Sequence, residues 1–195
     1  MSDLYYLEKN ILTAEECSAL AAYFEENSQP DYRAGYSHSG ILIYDILAGK
    51  VPEQVSPIRR VLKVAAKTFK DNYEFAYNRF ELKRLFGNIM DTGSINEPHD
   101  DDGDVYPSKP DVEEHYSCIL MLNSDYEGGE LYFEHHDIQL KLEAGDLIMF
   151  RGNAANLHGV REVTSGKRIN VIIFFRNFPL DRGYDVDIWE DFIAD

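Results

Sequence analysis

The hydrophobic period of this chain changes near Arg79, from helical spacing upstream to strand-like alternation downstream, and that switch limits the fold more than any other feature. Upstream, residues 13–28 read as a helix. Thr13 and Glu16 form a capping box, Leu12 and Cys17 occupy hydrophobic-staple positions, and Cys17, Leu20, Ala21 and Phe24 make an apolar stripe. Residues 29–41, rich in Gly, Ser, Pro and Tyr, read as a loop, and Leu42, Ile43, Tyr44 and Ile46 as a short strand. Ser56-Pro57 then opens a second helix. Pro57 suits the first helical position, and Ile58, Leu62, Ala65 and Phe69 recur at helical spacing down to about Tyr73.

Downstream, strand-like runs at 80–90, 96–101, 116–123, 130–134, 138–142, 146–151, 157–163 and 168–175 are separated by turn residues. Eight such runs predict a mostly β fold with flanking helices, a jelly-roll or cupin-like barrel. At 195 residues there is room for one domain (1–195), with 1–77 as helical N-terminal support, 78–178 as the β core and 179–195 as an acidic C-terminal tail. The tail carries Tyr184, Val186, Ile188, Trp189, Phe192 and Ile193, so it is expected to dock on the domain.

Charge and cysteine usage exclude several classes. Nineteen Lys and Arg against thirty-five Asp and Glu give a net charge of −16, a field that repels phosphate backbones and anionic lipid and argues against nucleic-acid and membrane partners. Two cysteines, Cys17 and Cys118, are too few for a disulfide framework and suggest a reducing compartment. The first residues lack a basic start followed by an apolar run, and no apolar stretch reaches about eighteen residues, so a cytoplasmic location is expected.

The chemistry gathers in the β half. His99 and Asp101, two apart on a predicted strand, leave the same face, while Asp100 points away. His158, in another predicted strand, is the third donor that a rolled-up sheet would bring beside them. Two imidazoles and one carboxylate on one side of a metal suit non-haem Fe(II) and leave positions open for substrates. Ten residues after His158, Arg168 begins the apolar strand Ile169-Asn170-Val171-Ile172-Ile173-Phe174-Phe175 and shares a face with Asn170, Ile172 and Phe174. Alternation sends Lys167 outward and Arg168 inward, where a guanidinium in an apolar pocket calls for an anion such as a dicarboxylate.

Around these residues stand four blocks in order. They are Pro98-His99-Asp100-Asp101; Tyr116-Ser117-Cys118-Ile119-Leu120-Met121-Leu122-Asn123 with Tyr126-Glu127-Gly128-Gly129-Glu130-Leu131-Tyr132-Phe133; Ala144-Gly145-Asp146-Leu147-Ile148-Met149-Phe150; and His158-Gly159-Val160-Arg161-Glu162-Val163-Thr164-Ser165-Gly166-Lys167-Arg168. Over 78–178 the chain thereby resembles an Fe(II)- and 2-oxoglutarate-dependent dioxygenase of the prolyl 4-hydroxylase type. The resemblance implies a double-stranded β-helix core and iron ligation by His99, Asp101 and His158. It also implies that Arg168 binds the distal carboxylate of 2-oxoglutarate, with O2 as the oxidant and ascorbate as an accessory reductant. The implied reaction couples decarboxylation of 2-oxoglutarate, to succinate and CO2, with hydroxylation of an aliphatic C–H, foremost of a prolyl residue in a peptide or protein. Hydroxylation of a free amino acid or other small molecule, and a non-catalytic 2-oxoglutarate-binding barrel, stand as alternatives.

The chain also departs from that pattern. Members often place cosubstrate-binding tyrosines where this chain has Leu120-Met121-Leu122 and Ile89, so Asn170 or Ser117 is expected to take over cosubstrate orientation. The segment 103–114 is long and acidic, as a lid or substrate-facing loop would be. The run Asp100-Asp101-Asp102-Gly103-Asp104 is not read as an EF-hand, whose glycine falls at position six between helical flanks. His135 and His136 are adjacent on an extended chain, so at most one faces the site. Tyr32, Tyr36, His38, Tyr44 and Arg79 are candidates for a substrate groove.

Overall fold

The computed structural model describes residues 4–31, 35–101, 113–179 and 192–193. The chain runs through β1 (Tyr5–Glu8), α1 (Ala14–Asn27), β2 (Gln29–Pro30), β3 (Tyr36–Gly40), α2 (Ile43–Leu47) and α3 (Ile58–Asn72). The β half follows as β4 (Arg79–Asp91), β5 (Asn96–His99), β6 (Glu114–Met121), β7 (Glu127–Gly128), β8 (Leu131–Phe133), β9 (Ile138–Leu140), β10 (Leu147–Arg151), β11 (His158–Val160), β12 (Val163–Ser165) and β13 (Lys167–Phe178).

Strand alternation builds the layers. Seven strands form an antiparallel major sheet in the order β1-β10-β6-β13-β4-β3-β2, four form a minor sheet in the order β5-β11-β8-β9, and β12 pairs with β7. Ile119, Met121, Leu131, Phe133, Ile148 and Phe150 pack together between the two sheets. Their neighbours Cys118, Leu120, Leu147 and Met149 face the other way, into the larger apolar cluster that includes the buried sides of α1 and α3. The result is the mostly β, antiparallel double-layered barrel with helices on its outside that the periodicity predicts.

α1 starts where its capping box requires: Thr13 Oγ1 accepts from the Glu16 N–H, the Glu16 carboxylate accepts from the Thr13 N–H, and Cys17, Leu20, Ala21 and Phe24 are buried. α3 begins at Ile58, with Pro57 in the preceding cap position, and buries Ile58, Leu62, Ala65 and Phe69 against the sheet. Phe69 is the keystone of an aromatic cluster, its ring centroid 5.1 Å from that of Tyr116, 5.7 Å from Phe175 and 5.9 Å from Phe80. Phe69→Ala is expected to lower the unfolding free energy by about 3–5 kcal/mol through the cavity it leaves, read as a lower urea midpoint with an unchanged m-value.

Several sequence expectations are corrected. Residues 29–41 are not a loop throughout; they contain β2 and β3, where pairing with β4 makes β3 a strand and Tyr36 and His38 line the cavity. The predicted strand at 42–46 is the short helix α2: the Leu42 carbonyl accepts from the Asp45 and Ile46 N–H groups, burying Ile46 and leaving Leu42 exposed. An apolar run this short fits either period, and the buried spot under Ile46 decides it. The N-terminal support is not purely helical either, because β1 closes one edge of the major sheet against β10. Of the acidic tail, 180–191 lies outside the described residues, while Phe192 is buried on the core with the Arg59 guanidinium 4.7 Å from its ring centre. Among the described residues, no helix is long and apolar enough to cross a membrane.

Candidate active site

β11 lies in register between β5 and β8, with His158 directly opposite His99, and this pairing brings the two imidazoles together at 4.6 Å between ring centroids. Asp101 comes from outside the strand. β5 ends at His99, so the pair does not share one strand face as the sequence spacing suggests. Asp101 reaches the same place from the following turn, where its N–H donates to the Gly152 carbonyl at 3.0 Å. One carboxylate oxygen lies 3.7 Å from His99 Nε2 and the other 3.5 Å from His158 Nε2, and one ligand atom from each of the three residues lies within 4.8 Å of the others.

The protonation of the site follows from its partners. His99 Nδ1 faces the Glu97 carbonyl at 2.8 Å and His158 Nδ1 faces that of Asn156 at 3.0 Å. A ring nitrogen against a carbonyl carries a proton, so in each ring Nε2 is the nitrogen left facing Asp101. Burial lowers the pKa of His158, an effect Asp101 partly opposes and His99 reinforces, and this keeps the imidazole in its neutral, ligating form. The Phe150 ring stands edge-on to His158 at 4.6 Å and fixes its plane.

Asp101 is held on both its carboxylate and its backbone. Ser117 Oγ donates to Oδ2, and the Asp101 carbonyl accepts from His115 Nδ1 at 3.0 Å, whose Nε2 faces Lys83 Nζ at 3.0 Å. Gly152 completes the cradle by its lack of a side chain, since a Cβ there would lie 2.9 Å from Asp101 Oδ2 and 2.6 Å from Ser117 Oγ. Such outer partners typically tune metal affinity by about 10–100-fold. Gly152→Val is accordingly expected to weaken Fe(II) binding by about that factor while leaving the thermal transition cooperative, as measured by anaerobic metal titration beside a melt.

The triad opens into a cavity of about 500 Å³ between the two sheets, and Arg168 lines the same cavity. On the inner face of β13, as alternation predicts, Arg168 is 1% exposed. Its Nε donates to the Gly129 carbonyl at 3.1 Å and its Nη1 to Asn170 Oδ1 at 2.7 Å. Burial lowers its pKa and the Tyr126 hydroxyl beside it raises it. Gly129 adopts φ +64°, and a Cβ there would press on the Arg168 side chain at 3.0 Å, so glycine is required for the carbonyl to meet the guanidinium. These acceptors are neutral. A buried cation held only by neutral acceptors fits a dicarboxylate cosubstrate, as the triad's N,N,O donor set fits Fe(II).

Other expected residues divide. Ser117 lines the cavity and donates its hydroxyl to Asp101, whereas Asn170 sits against Arg168. Tyrosines are present near the guanidinium after all: Tyr126 from the turn before β7, and Tyr36 from β3, which lines the cavity and donates to the Ile95 carbonyl at 2.6 Å. Both reach it through tertiary packing from positions the family pattern does not mark. His38 lines the cavity, paired with Asp31, but Arg79 pairs with Glu81 elsewhere. His135 and His136 follow β8 in an exposed turn away from the cavity, where His136 Nε2 meets the Ala155 carbonyl. Tyr32, the run from Asp102 to Asp104 and all of 103–114 except Glu113 and Glu114 lie outside the described residues.

A His-Asp-His cluster that could hold a metal ion and a buried arginine thus share one cavity between the two sheets. Residues 86–176 match the sequence profile of the 2OG-Fe(II) oxygenase superfamily, whose members use Fe(II), 2-oxoglutarate and O2. Human prolyl 3-hydroxylase 2 is 40% identical over 72 residues, 34% of this chain and 10% of that protein. Chicken (Gallus gallus) prolyl 3-hydroxylase 1 is 37% identical over 69 residues, 33% of this chain and 10% of that protein. The alignments thus span about a tenth of the curated relatives. Among solved structures, the collagen prolyl hydroxylase of Paramecium bursaria Chlorella virus-1 in its 2OG complex superposes with a TM-score of 0.70 at 17% identity, over 90% of this chain and 96% of that one. A Pseudomonas putida prolyl-4-hydroxylase gives 0.69 at 17% identity, over 89% and 92%. These confirm the fold.

Proposed function

We propose that the protein hydroxylates an aliphatic C–H bond, that of a prolyl residue in a peptide or protein, at the expense of 2-oxoglutarate. The reading rests on one observation above all: His99, Asp101, His158 and Arg168 line a single cavity. Iron held by the triad, with 2-oxoglutarate and O2, would supply the oxidising chemistry. The chain's own residues do the rest. His99 and His158 present their Nε2 atoms, Ser117 and Gly152 keep Asp101 in place, and Arg168 takes the distal carboxylate. Phe86, Ile172 and Phe174 give one part of the cavity wall an apolar lining that suits an aliphatic carbon. The prolyl substrate is supported by the names of the relatives, which are prolyl 3-hydroxylases in sequence and prolyl hydroxylases in fold. The net charge of −16 favours neutral or basic peptides over acidic ones.

The test is succinate release from purified protein with Fe(II), ascorbate and 2-oxoglutarate, with and without a proline-containing peptide, while mass spectrometry follows the peptide for one added oxygen. Peptide-stimulated succinate with an oxygenated prolyl residue is the expected result. Succinate without peptide oxidation would move the substrate to a small molecule, and no succinate under any condition would leave a binding barrel.

A further inference from the structure

The wholly buried Asn170 carries an unmade hydrogen bond beside the anion site. Its Oδ1 accepts from Arg168 Nη1 at 2.7 Å and from Asn88 Nδ2 at 3.2 Å, across the register pair that joins β13 to β4. Its Nδ2 is buried with no partner among the described residues. Turning the amide over would set an NH2 group against two donors, so Arg168 and Asn88 together fix which way it points. A buried donor left unmade is destabilising. The isosteric aspartate would avoid that cost and would grip the guanidinium at least as firmly, since Asp has two acceptors and no donor. It would also neutralise it. The amide holds the plane of the arginine fork, with Gly129 on the other side, and leaves the positive charge uncompensated.

We propose that Asn170, clamped by Asn88, is the positioning residue that aims Arg168 at the distal carboxylate of 2-oxoglutarate and reserves the arginine's charge for it. The inference deepens the proposed function and rests on Arg168 being the cosubstrate's anchor. It places the cost of an orphaned donor against selectivity for a 2-oxo acid with a second, distant carboxylate.

The experiment is anaerobic calorimetry on protein loaded with redox-silent Mn(II), titrated with 2-oxoglutarate and separately with oxalate, which chelates the metal but has no distal carboxylate. Asn170→Asp is expected to weaken 2-oxoglutarate binding by about 30-fold or more, the loss typical of removing a buried charge partner. Affinities for oxalate and Mn(II) should stay within about threefold, and the ligand-free variant should melt no lower than the parent protein, because its orphaned donor is gone. Asn170→Ala, which keeps the charge but frees the fork, should weaken 2-oxoglutarate by about tenfold with oxalate again unaffected, and it carries the test alone if the aspartate variant fails to fold. Equal affinity for 2-oxoglutarate in variant and parent, or parallel losses for both ligands, would overturn the inference. Failure of the parent protein to bind 2-oxoglutarate would instead overturn the reading of Arg168.

Discussion

Asp101→Ala is expected to eliminate Fe(II)-dependent turnover and to weaken Fe(II) binding by more than the roughly 100-fold that loss of an outer partner produces. The reason is electrostatic as well as geometric. Asp101 is the carboxylate of the cluster, lying within 4 Å of both imidazoles, and removing it leaves two imidazoles to hold a dication beside the buried cation Arg168 in the same cavity. Fe(II) titration under argon separates this from a folding defect, because the melt of the metal-free variant should stay cooperative. His99→Ala and His158→Ala belong to the same experiment, and full activity in any of the three would remove that residue from the ligand set. Zn(II) should occupy the parent site and inhibit, since it binds such donors without redox chemistry.

Arg168→Met should leave the metal site intact and fail at the other end of the cavity. Truncating one partner of a buried charge pair costs about 2–5 kcal/mol, which is about 30-fold to several thousand-fold in the 2-oxoglutarate requirement. Methionine keeps most of the side-chain volume, so the variant should still fold and melt cooperatively. The decisive comparison is the concentration of 2-oxoglutarate giving half-maximal succinate release against the Fe(II) affinity measured on the same sample. A raised requirement with unchanged metal affinity is expected, and an unchanged requirement would place the anion site elsewhere.

Much of this architecture is legible in the sequence because it rests on local rules. The capping box of Thr13 and Glu16, the alternation that turns Arg168 inward, and the change of period near Arg79 each depend on neighbours a few residues apart. What the sequence hides is set by distant partners. β3 looks like a loop because Ser37, Ser39 and Gly40 carry no strand signal of their own, and what makes it a strand is pairing with β4, about fifty residues on. Asp101 looks like a strand residue, yet it is pinned by Gly152 and Ser117 from two other strands or their ends. Tyr126 lies outside the positions where the family's tyrosines are expected, and only the fold brings it to Arg168. Ser117 is identified as a site residue by its inward face, but its role depends on which acceptor lies opposite.

The triad also straddles a seam. His99 and His158 belong to the minor sheet, whereas Asp101 is tied through Ser117 and Gly152 to β6 and the end of β10 in the major sheet. An ion bound by all three would act as a rivet between the layers, and its binding energy would be added to the energy that keeps them closed. Amide exchange along β5 and β11 should therefore slow on metal loading more than exchange along β4 and β13, which are stitched by their own long ladder. Iron supply would then set how long each molecule survives as well as how fast it works, so that the metal-starved protein is the one most exposed to proteolysis.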